Sequence, residues 1–300
     1  MLWPKPQWLL ATRQAMSAPK SAFSALSGTP APSQEHGPIP QFVAESSAYR
    51  VRFAHSAKDL EAICRLRYEV FNLELGEGLE EARQSGVDLD DFDHQCQHLM
   101  VETIPAGGAA AEVVGTYRLQ TAESAKAGCG FYSAGEFQLQ SLPQELLDHA
   151  IELGRACVRA DHRNRRVLFL LWRGLAGYVL WHRKRWFFGC NSLNCESELE
   201  GWRMTQYLKD HDHLHPELYV EPQPGYLCAA SDPSELAQST NPHDALPLEI
   251  PPLFGIYLRY GAKICSPPAH DHLFHTIDFF TVVDLDQMDE RTFNNFAADR

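Results

Sequence analysis

Apolar residues along the chain recur at two spacings, and these spacings predict a mixed order of strands and helices. Alternation at every second position over residues 49–53 predicts the first strand of the fold. A capping box at Ser56 then precedes three- and four-residue apolar spacing over residues 60–71, which predicts a helix. Two further strands are predicted over residues 96–102 and 113–119.

The second half of the chain predicts a strand–helix–strand crossover. Its predicted elements are a short helix over residues 143–149, a strand over 150–158, a long helix over 164–183, a strand over 186–193, a helix over 251–262 and a final strand over 275–285. A strand, a long helix and a second strand in this order imply parallel pairing. The whole pattern therefore predicts an α/β fold, with a mixed central sheet flanked by helices in a single domain.

Two segments fall outside this pattern. Residues 1–47 are rich in Pro, Ser, Ala and Gln, which indicates a disordered, flexible N-terminal extension. The predicted domain covers residues 48–290, and its polar, proline-punctuated stretch 195–250 is interpreted as an insertion or lid. No segment is apolar and long enough to span a bilayer. Tryptophans in the N-terminal extension leave weak contact with a membrane surface open.

The charge of the chain limits the classes of molecule that we expect it to bind. The chain carries 26 Lys and Arg against 39 Asp and Glu, a net charge of −13, which argues against nonspecific nucleic-acid binding. Nine of those basic residues nevertheless lie between Arg155 and Arg185, beside one acid, Asp161. This basic patch suggests a specific anionic partner, either a phosphate group or an acidic carrier protein. The alternative is a solvated helix face.

Cysteines and histidines point to a cytoplasmic protein without a metal. The eight cysteines form no C-x-x-C pair, and several lie in apolar strands as small hydrophobic residues, which fits a reducing cytosol. Histidines cluster at residues 211–215 and 270–275, but neither cluster has a matched pair of ligands elsewhere in the chain. We therefore interpret them as loop histidines and expect no metal.

Three charged residues stand in segments that otherwise predict buried strands. They are Arg118 in the strand over 113–119, and Glu152 and Arg155 in the strand over 150–158. Burying a charge is costly unless it is paired or used. A structural ion-pair network and a functional site both explain such residues, and both alternatives stay open at this point.

Several short stretches together carry a family resemblance. They are residues 66–71, 90–99, 115–119, 130–133, 152–158, 171–174, 251–262 and 271–278. In this order they resemble the acyl-carrier-dependent branch of the GNAT N-acyltransferase superfamily. Ornithine N-acyltransferases of ornithine-lipid synthesis are the closest group, with acyl-homoserine-lactone synthases and N-acyl-amino-acid synthases as more distant relatives. The resemblance covers about residues 66–285 and implies a GNAT-like fold.

The resemblance also implies roles for individual residues. Arg67 and Phe71 would line the entrance for the acyl donor or substrate, Asp90 and Asp93 would hold the amine substrate, Arg118 and Arg155 would support the site, and Glu152 would be the base. The chemistry agrees with this last role. An aliphatic amine is mostly protonated at pH 7, so its attack on a thioester needs a carboxylate that takes the proton.

The donor side of the expected reaction falls at the end of the strand over 150–158 and at the loop after it. A backbone N–H near Cys157 or Val158 would polarise the thioester carbonyl. Arg163, Arg165 and Arg166, at the start of the long helix, would bind the phosphate of a phosphopantetheine arm. Ordinary acetyl-CoA-binding GNAT enzymes carry glycines in this loop, so their absence favours a carrier-protein thioester.

We therefore expect an N-acyltransferase that moves a long-chain fatty acyl group from acyl carrier protein to the α-amine of an amino acid, with ornithine as the first guess. The donor thioester would be a substrate, and no separate cofactor is expected. Two alternatives remain. One is a signal synthase of the acyl-homoserine-lactone or N-acyl-amino-acid type, and the other is a non-catalytic module that binds an acyl carrier or a lipid.

Overall fold

A computed structural model describes residues 39–105, 107, 109–229 and 249–297 of the chain. Residues 1–38, which are most of the predicted flexible extension, lie outside this part, and so does much of the predicted insertion. Among the described residues, no helix is long and apolar enough to cross a membrane. All eight cysteines are described, and none forms a disulfide.

The described residues form nine strands and eight α-helices. The strands are β1 Val43–Glu45, β2 Tyr49–Phe53, β3 Gln97–Thr103, β4 Val113–Thr121, β5 Ala150–Val158, β6 Trp186–Leu193, β7 Lys263–Ile264, β8 Ala269–Asp271 and β9 Thr276–Asp284. The helices are α1 Ala57–Arg67, α2 Ala82–Ser85, α3 Ala122–Ala127, α4 Gln144–Asp148, α5 Arg165–His182, α6 Glu198–Asp210, α7 Pro252–Arg259 and α8 Glu290–Ala297. A π-helical segment, Tyr68–Leu75, continues α1. The predicted strands over 150–158 and 186–193 are confirmed with the same bounds.

These elements group into two compact units. Of the described residues, the first unit comprises those within Pro32–Tyr132, Pro143–Gly189 and Asp289–Arg300. Within it, β1 to β5 pair in chain order and antiparallel, and the start of β6 pairs parallel to β5. This confirms a mixed sheet, and helices α1 and α5 flank it.

A β-bulge interrupts the pairing of β4 with β5. Thr116 lies opposite Cys157 and Arg118 lies opposite Gly154, so Arg155 and Ala156 together face a single residue of β4. Arg155 adopts the left-handed conformation with φ of 46°. A bulge of this kind bends a strand and re-aims its side chains. The same strand pairs with β6 only through residues 150–152, so the bulge follows directly on the end of the parallel ladder.

The two long helices of the first unit begin where their capping residues predict. The Ser56 side chain accepts a hydrogen bond from the Asp59 N–H and starts α1. Asn164 does the same for α5, because its Oδ1 accepts from the N–H groups of Arg166 and Val167 at 3.0 and 3.2 Å. Gly174 of α5 lies so close to Leu99 of β3 that a side chain there would collide with it. This close approach seats α5 on the sheet.

The second unit comprises Ser133–Leu142 and Cys190–Met288, besides residues outside the described part. Strand β9 pairs antiparallel with β7 and with β8. Helices α6 and α7 pack on this sheet through a buried apolar cluster that includes Met204, Phe254 and Phe279. Cysteine 190 and the last residues of β6 also belong to this unit.

Three segments differ from their predicted structure. Strand β1 lies inside the predicted flexible extension, because three residues suffice to pair with β2. Helix α6 occupies part of the predicted insertion, since Gly201, Met204, Thr205 and Leu208 give it a buried face that the polar sequence around them hides. Helix α8 follows the predicted domain end, and Phe296 stacks on Trp172 of α5 with ring centroids 5.6 Å apart. Whether residues 195–250 act as a lid stays a prediction.

Candidate active site

Six charged side chains meet on one side of the sheet in the first unit. This charge network consists of Arg67, Arg118, Arg155, Asp88, Asp90 and Asp93. The arginines come from the end of α1, from β4 and from β5, whereas the three aspartates lie in the loop before β3. Three positive and three negative charges leave the network neutral.

Arg67 is the centre of the charge network and is fully buried. Its Nε donates to Asp88 Oδ1 at 2.7 Å, and its Nη1 donates to Asp93 Oδ1 at 2.6 Å. Its Nη2 donates to both aspartates. With no exposed surface and every donor nitrogen engaged, Arg67 cannot line an entrance as the resemblance implied. It fixes the positions of Asp88 and Asp93 instead.

Arg118 and Arg155 share Asp90. Arg118 donates to Asp90 Oδ1 at 2.6 Å and to Asp93 Oδ1 at 3.2 Å, and Arg155 donates to Asp90 Oδ2 at 3.4 Å. Both guanidinium groups also lie over the ring of Tyr132, at 5.2 and 5.6 Å from its centroid. Both arginines thus belong to an ion-pair network, and their predicted support of the site stays a prediction. Asp90 keeps some exposure, with 17% of its side chain accessible, whereas Asp93 has none.

The electrostatics of the charge network favour the ionised forms. Burial alone would raise the pKa of Asp93, but the charge and hydrogen bonds of Arg67, with help from Arg118, hold that pKa well below its usual range. Burial lowers the pKa of Arg118, and the charges of Asp90 and Asp93 more than reverse this effect. Removal of any one member of such a buried network destabilises the fold, because a buried charge left without its partner costs about 3–5 kcal/mol.

Glu152 lies on β5, two residues before the bulge, and is buried. Its Oε2 accepts hydrogen bonds from the Gln120 side-chain amide and, at 2.9 Å, from the Tyr132 N–H. Gln120 is itself oriented, since its Oε1 accepts from Gln95 Nε2 at 2.7 Å. These two hydrogen bonds hold the Glu152 carboxylate in a fixed position. A carboxylate held in this way can take a proton from an amine within hydrogen-bond reach.

The direction of the peptide groups at the end of β5 distinguishes Cys157 from Val158, the two residues predicted to polarise the thioester carbonyl. The Arg159 N–H donates to Val114 O of the neighbouring chain segment at 2.9 Å. Because peptide groups alternate in direction along a strand, those of Cys157 face β4 and those of Val158 face away from it. The Val158 carbonyl accordingly accepts from Arg163 Nε at 3.0 Å. Val158 is thus the better placed of the two to offer an N–H to a bound thioester.

The Cys157 side chain has a structural environment. It packs with Leu66 and Val70 in an apolar cluster, and Phe71 lies against the same cluster. Burial raises the pKa of the Cys157 thiol to about 12. Burial therefore disfavours the thiolate, which fits a structural role for Cys157. Phe71 also lies beneath the Arg155 guanidinium, 6.0 Å from the ring centroid.

The start of α5 differs from the expected phosphate loop. Arg163 makes a two-pronged ion pair with Glu74, at 2.6 and 2.7 Å, in addition to its bond to Val158. Asn164 already accepts from the first helical N–H groups, as described above. Arg165 and Arg166 are exposed. All three predicted phosphate ligands are thus exposed, and within the described residues Arg163 is the one with an ion-pair partner; phosphate binding stays a prediction.

The nine basic residues between 155 and 185 do not form one patch. Arg155 belongs to the charge network, Arg159 pairs with Glu112 and Asp161, and Lys184 pairs with Glu123. The two ends of α5 are about 27 Å apart, because an α-helix rises about 1.5 Å per residue. Arg183 at one end therefore cannot act together with Arg165 and Arg166 at the other.

Three residues of this site were absent from the predicted set. Asp88 completes the charge network, Gln120 orients Glu152, and Tyr132 contributes both an N–H and a ring. Tyr132 lies in the stretch 130–133 and Asp88 lies two residues before the stretch 90–99, but no local pattern indicates which charge or amide they contact. The polar Gln120, on a strand whose neighbours are buried, was the available signal.

We expect Arg118→Ala to lower thermal stability and activity together. Removal of this guanidinium takes one ion-pair partner from Asp90 and one from the fully buried Asp93, and breaking a buried pair costs up to about 3–5 kcal/mol. Thermal melts and steady-state rates of the purified variant measure both effects. Arg83→Ala is the matched control, since Arg83 and Glu80 form an exposed pair that contributes little. Equal melting temperatures for the two variants would contradict the buried role of Arg118.

Comparison with known proteins places the chain in a family. Residues 66–173, which contain the charge network and Glu152, match the family model described as "Acetyltransferase (GNAT) domain". Among solved structures, the chain is similar to the one titled "Crystal Structure of the AHL Synthase LasI", with a TM-score of 0.41 and 12% identity. That match covers 80% of this chain and 91% of the other, and its similarity is too low to assign a function.

Curated relatives are considerably more similar. The L-ornithine N(alpha)-acyltransferase of Rhizobium meliloti (strain 1021) is 33% identical over 252 residues, which is 83% of this chain and 84% of the relative. The protein of the same name from Brucella abortus (strain 2308) is 30% identical and covers 83% of this chain and 89% of the relative. At this identity across most of both sequences, the chain is an acyltransferase and belongs to the GNAT family of L-ornithine N(alpha)-acyltransferases.

Proposed function

We propose that the protein transfers a long-chain fatty acyl group from acyl carrier protein to the α-amine of L-ornithine. The observation that carries this proposal is the relatives' shared name at 30–33% identity over 83% of the chain. The product would be an N-acylated ornithine with one fatty chain, a precursor of an aminolipid. Because the carrier is a soluble protein, we place the reaction in the cytoplasm, with the product released to a membrane surface.

Glu152 is the proposed general base. The Gln120 amide and the Tyr132 N–H hold its Oε2 in place, so the carboxylate needs no rearrangement before it accepts a proton. As the amine nitrogen attacks the thioester carbon, its proton passes to Glu152 and negative charge develops on the carbonyl oxygen. A backbone N–H that faces away from β4, such as that of Val158, is suited to stabilise this oxygen. Collapse of the intermediate breaks the C–S bond and expels the carrier as a thiolate, which takes up the proton held by Glu152 and leaves as the thiol.

The charge network supports this chemistry without taking part in it. Its six charges compensate one another, and Arg67 and Asp93 have no exposed surface from which to touch a substrate. Asp90 is the exception because part of its side chain is accessible. We propose that Asp90 is the member of the network that contacts the amino-acid substrate, while Arg118 and Arg155 fix its orientation.

The donor side depends on Arg165 and Arg166. These two arginines are exposed at the start of α5, where a phosphate gains from the helix dipole as well as from their charge. An acyl carrier protein offers both a phosphate on its prosthetic arm and an acidic surface. The chain also lacks the glycines of the pyrophosphate loop expected in acetyl-CoA-binding relatives. These features favour a carrier thioester over acetyl-CoA.

The direct test of the function is a defined reaction. Purified protein is incubated with long-chain acyl carrier thioester and L-ornithine, and mass spectrometry locates the acyl group on the product. Glycine, tyrosine and a polyamine serve as competing acceptors, and acetyl-CoA serves as a competing donor. We expect acylation of the ornithine α-nitrogen from the carrier thioester. Preferred transfer to another acceptor, or efficient acetyl transfer from acetyl-CoA, would overturn the corresponding half of the proposal.

Loss of the base has a defined kinetic signature. We expect Glu152→Gln to fold normally and to slow turnover by about 10²–10⁴-fold at pH 7. The defect should shrink as pH rises, because a larger fraction of the amine is then neutral without help. Rates across pH 7–10 measure this, with Glu145→Gln as a control in an exposed glutamate. A near-normal rate at pH 7 would mean that another group or water accepts the proton.

The donor arginines should behave differently from the buried ones. In the variant Arg165→Ala with Arg166→Ala, we expect KM for the carrier thioester to rise and its salt dependence to flatten, because screened attraction has been removed. The melting temperature should stay near that of the wild type, since exposed charges contribute little to stability. Arg65→Ala, another exposed arginine, is the control. An unchanged KM with an unchanged salt slope would place the donor elsewhere.

A further inference from the structure

Two glutamine side chains form a relay of hydrogen bonds that ends on Glu152, and the turn over residues 128–130 holds the other end of this relay. Gln120 of β4 is almost fully buried, with 1% of its surface exposed, whereas Gln95 lies half-buried in the loop before β3. All of these residues belong to the first unit. The chemistry proposed above assigns no role to Gln95 or to the turn.

The relay has a fixed direction because it starts at a backbone N–H, which can only donate. The Cys129 N–H donates to Gln95 Oε1 at 2.7 Å, and the Cys129 thiol donates to the same oxygen at 3.0 Å. An amide has its acceptor on one side and its donors on the other, so the Gln95 nitrogen faces away from the turn and donates to Gln120 Oε1 at 2.7 Å. This bond leaves Gln120 Nε2 as the atom that faces Glu152 Oε2.

The carbonyl of Gly130 fixes both amide orientations a second time. It accepts from Gln95 Nε2 at 2.8 Å and from Gln120 Nε2 at 3.2 Å. A carbonyl oxygen cannot donate, so neither glutamine can turn its own oxygen towards it without losing a hydrogen bond. Gly130 has a φ of 92°, a left-handed conformation that favours glycine. Its N–H donates to Ala125 O at 3.0 Å, which anchors the turn on α3.

Gly128 leaves the space that the Gln95 amide occupies. A Cβ atom at Gly128 would collide with the side-chain oxygen of Gln95. The φ of Gly128 is −116°, so no left-handed conformation requires glycine at this position. The colliding atom is the end of a flexible side chain. Alanine at position 128 would therefore displace the Gln95 amide and leave the backbone in place.

We propose that Gln95 is a positioning residue for acyl transfer, which acts through Gln120 to keep an N–H donor on Glu152. This inference rests on the proposed function, in which Glu152 takes the proton of the attacking amine. If the Gln120 amide turned over, its oxygen would face the carboxylate, and the two acceptors would repel each other. The relay prevents this and holds the carboxylate in one place. A displacement of about 1 Å in such a group can slow a reaction by about 100-fold.

Two variants interrupt the relay without changing Glu152 or Gln120. Gln95→Met keeps the length of the side chain and removes both polar atoms, and Gly128→Ala displaces the amide. With acyl carrier thioester and L-ornithine, we expect kcat to fall by about 10–100-fold in each variant, while KM for both substrates and the melting temperature stay near those of the wild type. Gln144→Met is the control, because this exposed glutamine of the first unit bonds Asp148 at the surface, and it should keep the wild-type kcat.

The Glu152→Gln background distinguishes positioning from a structural role. If Gln95 acts only through Glu152, Gln95→Met should slow the wild type but should not slow Glu152→Gln any further, since residues that act as a unit have non-additive effects. A further loss in the Glu152→Gln background would overturn the inference. So would an effect on KM alone, or a loss of activity that accompanies a lower melting temperature or a failure to fold.

The proposed function and this inference fail in different ways. If the wild-type protein does not acylate ornithine, the proposed function itself is wrong. If Glu152→Gln keeps a near-normal rate, the general base is wrong, and the positioning role of Gln95 is overturned with it. If both of these hold while Gln95→Met and Gly128→Ala keep the wild-type kcat, only the positioning role of Gln95 is overturned.

Discussion

The buried ion pairs of Arg67 with Asp88 and Asp93 are the interaction on which the rest of the first unit depends. Arg67 ends α1, and the two aspartates hold the loop that leads into β3. Through Asp90 and Asp93 the same charges reach Arg118 on β4 and Arg155 on β5. Two strands, one helix and one loop thus share a single electrostatic constraint. None of these elements can move independently without exposing an uncompensated charge to a low-dielectric interior.

This constraint distinguishes the residues that hold the site in place from Glu152, the residue that we propose takes the proton. Arg155 can keep its left-handed backbone at the bulge of β5 because the network over-determines its side chain. The bulge lies just beyond Glu152, the last residue of β5 that pairs with β6. Glu152 stands outside the network and has its own pair of donors. The carboxylate that we propose as the general base is thereby held by donors other than the arginines of the charge network.

Sequence reasoning recovered the parts that local patterns determine. The bounds of strands β5 and β6 and the capping role of Ser56 were predictable, since each follows from a local pattern of residues. The pairing of charges was not. No local pattern indicated the ion pair of Arg163, a predicted phosphate ligand, with Glu74, which lies 89 residues away in sequence. Arg67 was predicted to line the entrance because a family resemblance indicates which positions match but not how deeply each side chain is buried. Helix α6 was not predicted because only four of its residues are buried and the sequence around them is polar.

A double-mutant cycle between Arg67 and Asp93 tests the central claim most directly. Urea unfolding at pH 7 gives the free energy of unfolding for the wild type, Arg67→Met, Asp93→Asn and the double variant. If the buried pair constrains the unit, each single variant loses several kcal/mol and the double variant loses less than the sum of both. The expected coupling energy is about 2–3 kcal/mol. Additive losses, with a coupling within about 0.5 kcal/mol of zero, would contradict the account.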